Sequence, residues 1–222
     1  MQQDYWLKAW AENRTGFHQE KANKRLVRFW SQLGLKPQAE VFVPLAGKSL
    51  DMLWLHEQGY RVFGVEISRN AVEAFFVENK LEHTIQESER GTEFQGTGNA
   101  EGLRVLAGDF FALAPADLDG VTGVYDRASL IAMNDAMRAD YTAQLAALVP
   151  PGATGLLLTI DYDSARMQGP PFAVPDSTTR TLLGGAFEIE ELEHFSGPER
   201  LGNLKDRGLD TLVEYVYRLD RR

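Results

Sequence analysis

Apolar positions along this chain alternate between two periods. Leu26, Phe29, Trp30 and Leu33 recur at helical spacing and Gly34 follows as a stop signal, which predicts an amphipathic helix over residues 19–33. Val41 to Leu45 is a short apolar run that reads as a strand, residues 49–58 as a helix ended by Gly59, and Tyr60 to Ile67 as a second strand. Ser68 then caps a helix carrying Ala71, Val72, Phe75 and Phe76. Residues 87–102 follow neither period and predict a loop or loose hairpin. Strands are expected at 103–111, 121–127 and 155–163, with a helix marked by Met133, Met137, Tyr141, Leu145 and Leu148 between the last two. A Gly/Pro-rich crossover leads to a short helix around 176–183 and two late strands, 187–195 and 210–219.

Near-continuous apolar strands separated by helices predict a mostly parallel sheet covered on both faces. The late strands lack a long helix between them, so an antiparallel pair at the sheet edge is expected. The fold class is α/β, doubly wound and Rossmann-like, in a single domain over residues 1–222.

Composition narrows the function. Of 222 residues, 44% are hydrophobic and 25% charged, an ordinary globular balance. The net charge is −9, and no block of Lys and Arg suits a phosphate backbone, so a small-molecule substrate is expected rather than nucleic acid. With no cysteine, thiolate metal sites and a Cys nucleophile are excluded. His18, His56, His83 and His194 are scattered without metal-ligand spacing, so no metal is expected. The first residues, MQQDYWLKAWAENR, do not read as a signal peptide, and no apolar run approaches the roughly 18 residues of a membrane span. A cytoplasmic, monomeric protein without membrane contact is the expectation.

The candidate chemistry begins at VFVPLAGKSLDMLWL, residues 41–55. Gly47-Lys48-Ser49 matches the tail of a phosphate-binding loop, but the first glycine of that motif would fall on Phe42, and Pro44 removes a backbone donor from the cradle. The dinucleotide fingerprint is missing as well. What remains is Glu66, about 20 residues beyond Gly47 at the end of the second strand, where an acid accepts hydrogen bonds from ribose hydroxyls. An acid there could also serve the N-terminus of the next helix. A ribose acid without a pyrophosphate loop suits an adenosine cofactor lacking phosphates, S-adenosyl-L-methionine above all. Asp109-Phe110 at the next strand end offers a polar group and an apolar wall for an adenine, while Phe111 reads as core.

Six motifs occur in order and at compatible spacing: Trp6 and Trp10 as W-x-x-x-W, GFHQE (16–20), VFVPLAGKSLDMLWL, GVEIS (64–68), DRASLIAM (126–133) and GPPFAVP (169–175). Together they resemble the thiopurine S-methyltransferase family, particularly its bacterial members, over about Asp4 to Leu219. The resemblance implies a class I methyltransferase fold with a seven-stranded sheet, an N-terminal helical cover of the cofactor within residues 1–34, and a crossover over 164–185 near the methyl acceptor. It places Trp6, Trp10, Leu45 and Gly47 against the cofactor, Glu66 at its ribose and Asp109-Phe110 at its adenine. Phe17 and Arg127 would border the acceptor, with Pro170, Pro171 and Phe172 closing over it.

Methyl transfer from a sulfonium needs alignment, exclusion of water and an ionised acceptor rather than an essential general base. Arg127 is the candidate for favouring a thiolate and for contact with the cofactor. Its bland alternative is a pair with a local carboxylate. Arg200 and Arg207 are the nearest candidates for a second arginine, and that role stays unassigned. Ala46 stands where many relatives carry cysteine. The family implies thiol acceptors such as thiopurines, and in bacteria also selenium or tellurium compounds, in a detoxification role. A nicotinamide oxidoreductase, which should show a glycine-rich first turn, and a non-catalytic adenosine-binding module are the rival readings.

Overall fold

The computed structural model describes residues 3–12, 18–197 and 201–222. Nine strands form one sheet in the order β3-β4-β5-β2-β1-β6-β7-β9-β8. They are β1 (Glu40–Val43), β2 (Arg61–Glu66), β3 (His83–Ser88), β4 (Gly91–Gly96), β5 (Leu103–Gly108), β6 (Val121–Asp126), β7 (Thr154–Asp161), β8 (Phe187–Ser196) and β9 (Val213–Arg221). The central strands β5, β2, β1, β6 and β7 are parallel, while β9 and β8 run antiparallel at one edge and β4 and β3 at the other.

Burial on both faces follows from the alternation within each strand. Val41 and Val43 join Val62, Val105 and Leu156 on the face covered by helices α2 (Lys24–Phe29), α3 (Leu50–Glu57) and α4 (Arg69–Glu78). Phe42, Phe63, Leu106, Val124 and Leu157 point the other way, toward α5 (Asp135–Leu148) and α6 (Asp176–Leu183). Each fully buried Leu or Phe removes enough apolar surface to contribute about 1.5–3 kcal/mol. Helix α1 (Gln3–Ala11) carries Trp6 and Trp10 and lies over the carboxyl ends of the central strands.

Three expectations are corrected. The sheet has nine strands rather than seven, because the 83–96 segment is a regular hairpin paired to β5 through Gly91↔Gly108 to Gln95↔Arg104. The helix expected over 19–33 starts only at Lys24. Asn23 is its cap, accepting from Arg25 N at 2.8 Å, while its own N–H donates to Asp51 Oδ1 at 2.7 Å and pins the chain outside helical geometry. The last turn, Trp30–Leu33, tightens to 3₁₀ before left-handed Gly34. Finally, Phe111 is exposed, and its neighbour Phe110 is the core residue.

Candidate active site

The strand order reverses at β1, between β2 and β6, and the crevice outside those carboxyl ends is where open α/β sheets bind ligands. A cavity of about 530 Å³ opens there. Among its walls are Trp6 and Trp10 of α1, the turn 45–49 after β1, Glu66 of β2, Arg127 after β6, and Pro170-Pro171 of the crossover.

The β1 turn is shaped by its backbone. Leu45 and Gly47 both have positive φ, 46° and 55°. A Cβ on Gly47 would stand 2.8 Å from Cζ2 of Trp10, so only glycine lets the indole lie against the turn. Ser49 then caps α3, accepting from Asp51 N at 3.2 Å. Lys48 donates to both carboxylate oxygens of Glu78, at 2.7 and 2.9 Å. Its ammonium is thus held by a carboxylate, unlike the free phosphate-seeking lysine of a nucleotide loop.

Glu66 closes the turn from the neighbouring strand. Its Oε2 accepts from Gly47 N at 2.9 Å and its Oε1 from Ser68 N at 3.0 Å. The side chain is 5% exposed. Burial raises its pKa, against the opposing pull of the Ser68, Gly47 and Ile67 N–H groups and the Trp10 side chain. Glu66 therefore does serve the start of the next helix, and it also lines the cavity.

Arg127 is both anchored and open. Its Nε donates to Asp51 Oδ2 at 2.7 Å, and the same oxygen accepts from Tyr125 OH at 3.0 Å. Asp51 is 1% exposed and completes its set with Asn23 N. Burial works against the Arg127 charge, but Tyr125 and Asp51 outweigh it and the pKa is raised. Among the described residues no hydrogen bond engages the two terminal nitrogens, and Arg127 lines the cavity. Asp126, buried beside it, accepts from Tyr141 OH at 2.6 Å and Ser129 N at 3.2 Å, while Ser129 Oγ donates to Pro44 O at 2.9 Å. This links the β6 loop to the β1 turn.

The cavity gathers Trp6, Trp10, Leu45, Gly47, Glu66, Arg127, Pro170 and Pro171. It does not gather all the expected residues. Phe110 is 2% exposed and stacks on Phe42 at a centroid distance of 6.4 Å, in the core and outside the cavity lining. Asp109 caps the following 3₁₀ turn, accepting from Phe111 N at 2.9 Å. Phe172 borders a separate cavity of about 380 Å³ behind the crossover. Phe17 and Arg200 lie outside the described residues. Arg207, one of the two candidates for a second arginine, lines the cavity, whereas Asp51, Tyr125, His18 and Tyr162 are site builders that the sequence pattern does not single out. Asp51 belongs to the 41–55 motif and His18 to the 16–20 motif, and the sequence signal for Asp51 is a charged residue on an otherwise apolar helix face.

The residues fit an adenosine cofactor without phosphates. A side-chain-free approach at Gly47, a buried carboxylate on the adjacent strand β2, and flanking indoles suit a ribose and its attached base better than a pyrophosphate.

Comparison with known proteins agrees. The family model for thiopurine S-methyltransferase matches residues 1–222. The chain belongs to the thiopurine S-methyltransferase family, whose members depend on S-adenosylmethionine. A thiopurine S-methyltransferase of Azotobacter vinelandii is 45% identical over 222 residues, covering 100% of both chains. Another, of Pseudomonas entomophila, is 46% identical over 221 residues, again covering 100% of both. Among solved structures, a SAM-dependent methyltransferase from Anabaena variabilis superposes with a TM-score of 0.65 at 15% identity, covering 99% of this chain and 94% of that one. The 1,6-didemethyltoxoflavin-N1-methyltransferase of Burkholderia thailandensis gives 0.62 at 18%, covering 98% and 86%. These two establish a shared class I methyltransferase fold. The expected edge pair is present, and the β3–β4 hairpin makes the other edge. Among the described residues no helix is long and apolar enough to cross a membrane, and no group of His, Cys, Asp and Glu is placed to hold a metal.

Proposed function

We propose that this enzyme methylates the sulfur of aromatic or heterocyclic thiols, thiopurines among them, using S-adenosylmethionine. The observation that carries the reading is the anchored guanidinium of Arg127, held by Asp51 through one nitrogen, on the wall of a cavity that also contains the Glu66 cradle and the Pro170-Pro171 turn. When bound, the cofactor supplies a methyl group on a sulfonium, whose leaving thioether needs no proton. Trp6, Trp10, Leu45 and Gly47 would enclose it, and Glu66 would accept from its ribose hydroxyls. Arg127 would favour the ionised acceptor, because a nearby positive charge lowers a thiol's pKa. The proline turn would exclude water from the acceptor side. Selenium and tellurium compounds, as softer members of the same acceptor class, extend the reading toward detoxification.

The test is transfer of a labelled methyl group from S-adenosylmethionine to mercaptopurine, followed by a panel of aryl thiols and selenols. Labelled S-methyl product is the expected outcome. No product with any thiol or selenol, alongside tight binding of S-adenosylhomocysteine, would leave a cofactor-binding module and overturn the sulfur acceptor.

A further inference from the structure

The crossover between β7 and α6 passes the acceptor side of the cavity, yet at its centre two successive residues cannot donate from the backbone. Pro170 and Pro171 have no N–H to donate. Side chains, two of them arginines from other elements, hold the crossover's carbonyls. Arg207 donates from Nη1 to Pro170 O at 2.5 Å and from Nη2 to Gln168 O at 2.9 Å. Tyr162 OH donates to Pro171 O at 2.6 Å, and Arg138 Nη2 to Ala173 O at 2.8 Å. Phe172 N donates to Ile131 O at 2.7 Å, in the loop that follows Arg127. Gly169 admits the Phe172 ring, whose atoms come within 2.4 Å of where a Cβ would stand.

Arg207 reaches the turn from far along the chain. It ends the 3₁₀ segment Gly202–Arg207, and Gly208 follows at a φ of 96°. Around it Leu201, Leu209 and Leu212 bury themselves with Tyr162 and Met167 in a small cluster apart from the main core. Arg166 and Asp210 add an exposed ion pair at 3.0 Å. The crossover and the 201–212 segment therefore pack as one unit.

We propose that Arg207 is a positioning residue for methyl transfer: its planar fork bridges the carbonyls of Gln168 and Pro170 and fixes the proline turn that shapes the acceptor end of the cavity. The inference rests on the methyltransferase reading for its functional consequence, but its structural half does not. A guanidinium spans two carbonyls at once, whereas a lysine ammonium is a point donor on a flexible stem. The charge of Arg207 is directed at backbone oxygens, so its effect on catalysis is independent of how acidic the acceptor thiol is.

Three variants of the full chain test this: Arg207→Lys, Arg207→Met and Tyr162→Phe. Amide hydrogen exchange would be followed at Gln168, Gly169, Phe172 and Ala173. S-adenosylhomocysteine affinity would be measured beside KM and kcat for one thiol ionised at assay pH and one that is not. Both Arg207 variants should speed exchange in the turn. Both should raise acceptor KM by about 10-fold for the two thiols alike, the scale of losing a charge-assisted hydrogen bond, with cofactor affinity within about 2-fold of wild type. Tyr162→Phe removes one hydrogen-bond donor to the same turn and should shift exchange and KM in the same direction by less. It stands in for the arginine variants if they fail to fold.

Unchanged exchange in the variants would overturn the clamp. Near-normal activity in Arg207→Lys, with losses in Arg207→Met that grow with thiol pKa, would also overturn it and make Arg207 a direct charge partner of the acceptor. If wild type methylated no thiol, the exchange data would still judge the clamp, and only the proposed function would fall.

Discussion

Arg127 combines two requirements that usually conflict, a fixed position and a charge available to a ligand. Asp51 satisfies the first through Nε, and Tyr125 and Asn23 satisfy the remaining acceptor capacity of Asp51. A carboxylate buried this deeply would be costly without that set. The terminal nitrogens of Arg127 are then left for the cavity. Arg127→Ala should therefore lower kcat/KM most for weakly acidic thiols, since an adjacent cation moves a thiol's pKa by about one to three units, and should do less for thiols already ionised. The melting temperature should fall too, because Asp51 loses a partner while keeping Tyr125 and Asn23. A series of aryl thiols of graded pKa, assayed beside thermal melts, checks both parts. A uniform loss across the series would assign Arg127 to binding rather than to thiolate stabilisation.

At the scale of elements, the site depends on how α1 meets the β1 turn. Gly47 has positive φ and touches the Trp10 indole, so Gly47→Ala strains the backbone and drives a methyl toward the ring. The expected result is weaker S-adenosylhomocysteine binding and a shifted tryptophan emission with the sheet intact, read by calorimetry, fluorescence and far-UV circular dichroism. Unaltered emission would mean that α1 does not lean on the turn in solution. This turn and its strand were legible in the sequence because an apolar run, a glycine and a capping serine are local signals. So were Glu66 at a strand end and the antiparallel edge pair. The β3–β4 hairpin was obscured because five of the six β3 residues are exposed and Phe94 is the one large side chain that β4 buries. The start of α2 was misread because Asn23 is held by Asp51, a contact 28 residues away that no local pattern carries. Phe110 and Phe111 could not be told apart either. Their orientations follow from the Asp109 cap and the stack on Phe42, neither of which is a sequence-local property.

At the scale of the whole molecule, the buried acid that suits the cofactor affects the free protein in the opposite sense. The folded pKa of Glu66 is raised above 4.5, first by burial. Its contribution to stability is thus fully present below that ordinary value and is lost as pH rises through the folded value. At neutral pH the ionised carboxylate is a cost to the free enzyme. On the proposed ribose contact the sign reverses for binding, because ribose hydroxyls would donate to the carboxylate and a protonated Glu66 would have given up acceptor capacity. S-adenosylhomocysteine at about 100 times its Kd should stabilise the protein by about 2.7 kcal/mol at neutral pH. For a chain of this length that is a rise of about 5–10 °C in melting temperature. The rise should shrink as the pH is lowered toward the ordinary glutamate value. Asp126 is also raised by burial and shifts the free protein's pH dependence in the same direction, but its partners are Tyr141 and Ser129. It should cancel when melts with and without ligand are subtracted. Glu66→Ala should lose most of the ligand-induced rise at neutral pH and remove its pH dependence. A rise that is equally large in acid and at neutrality in wild type would separate Glu66 from the ligand, and the ribose assignment would have to move elsewhere in the cavity.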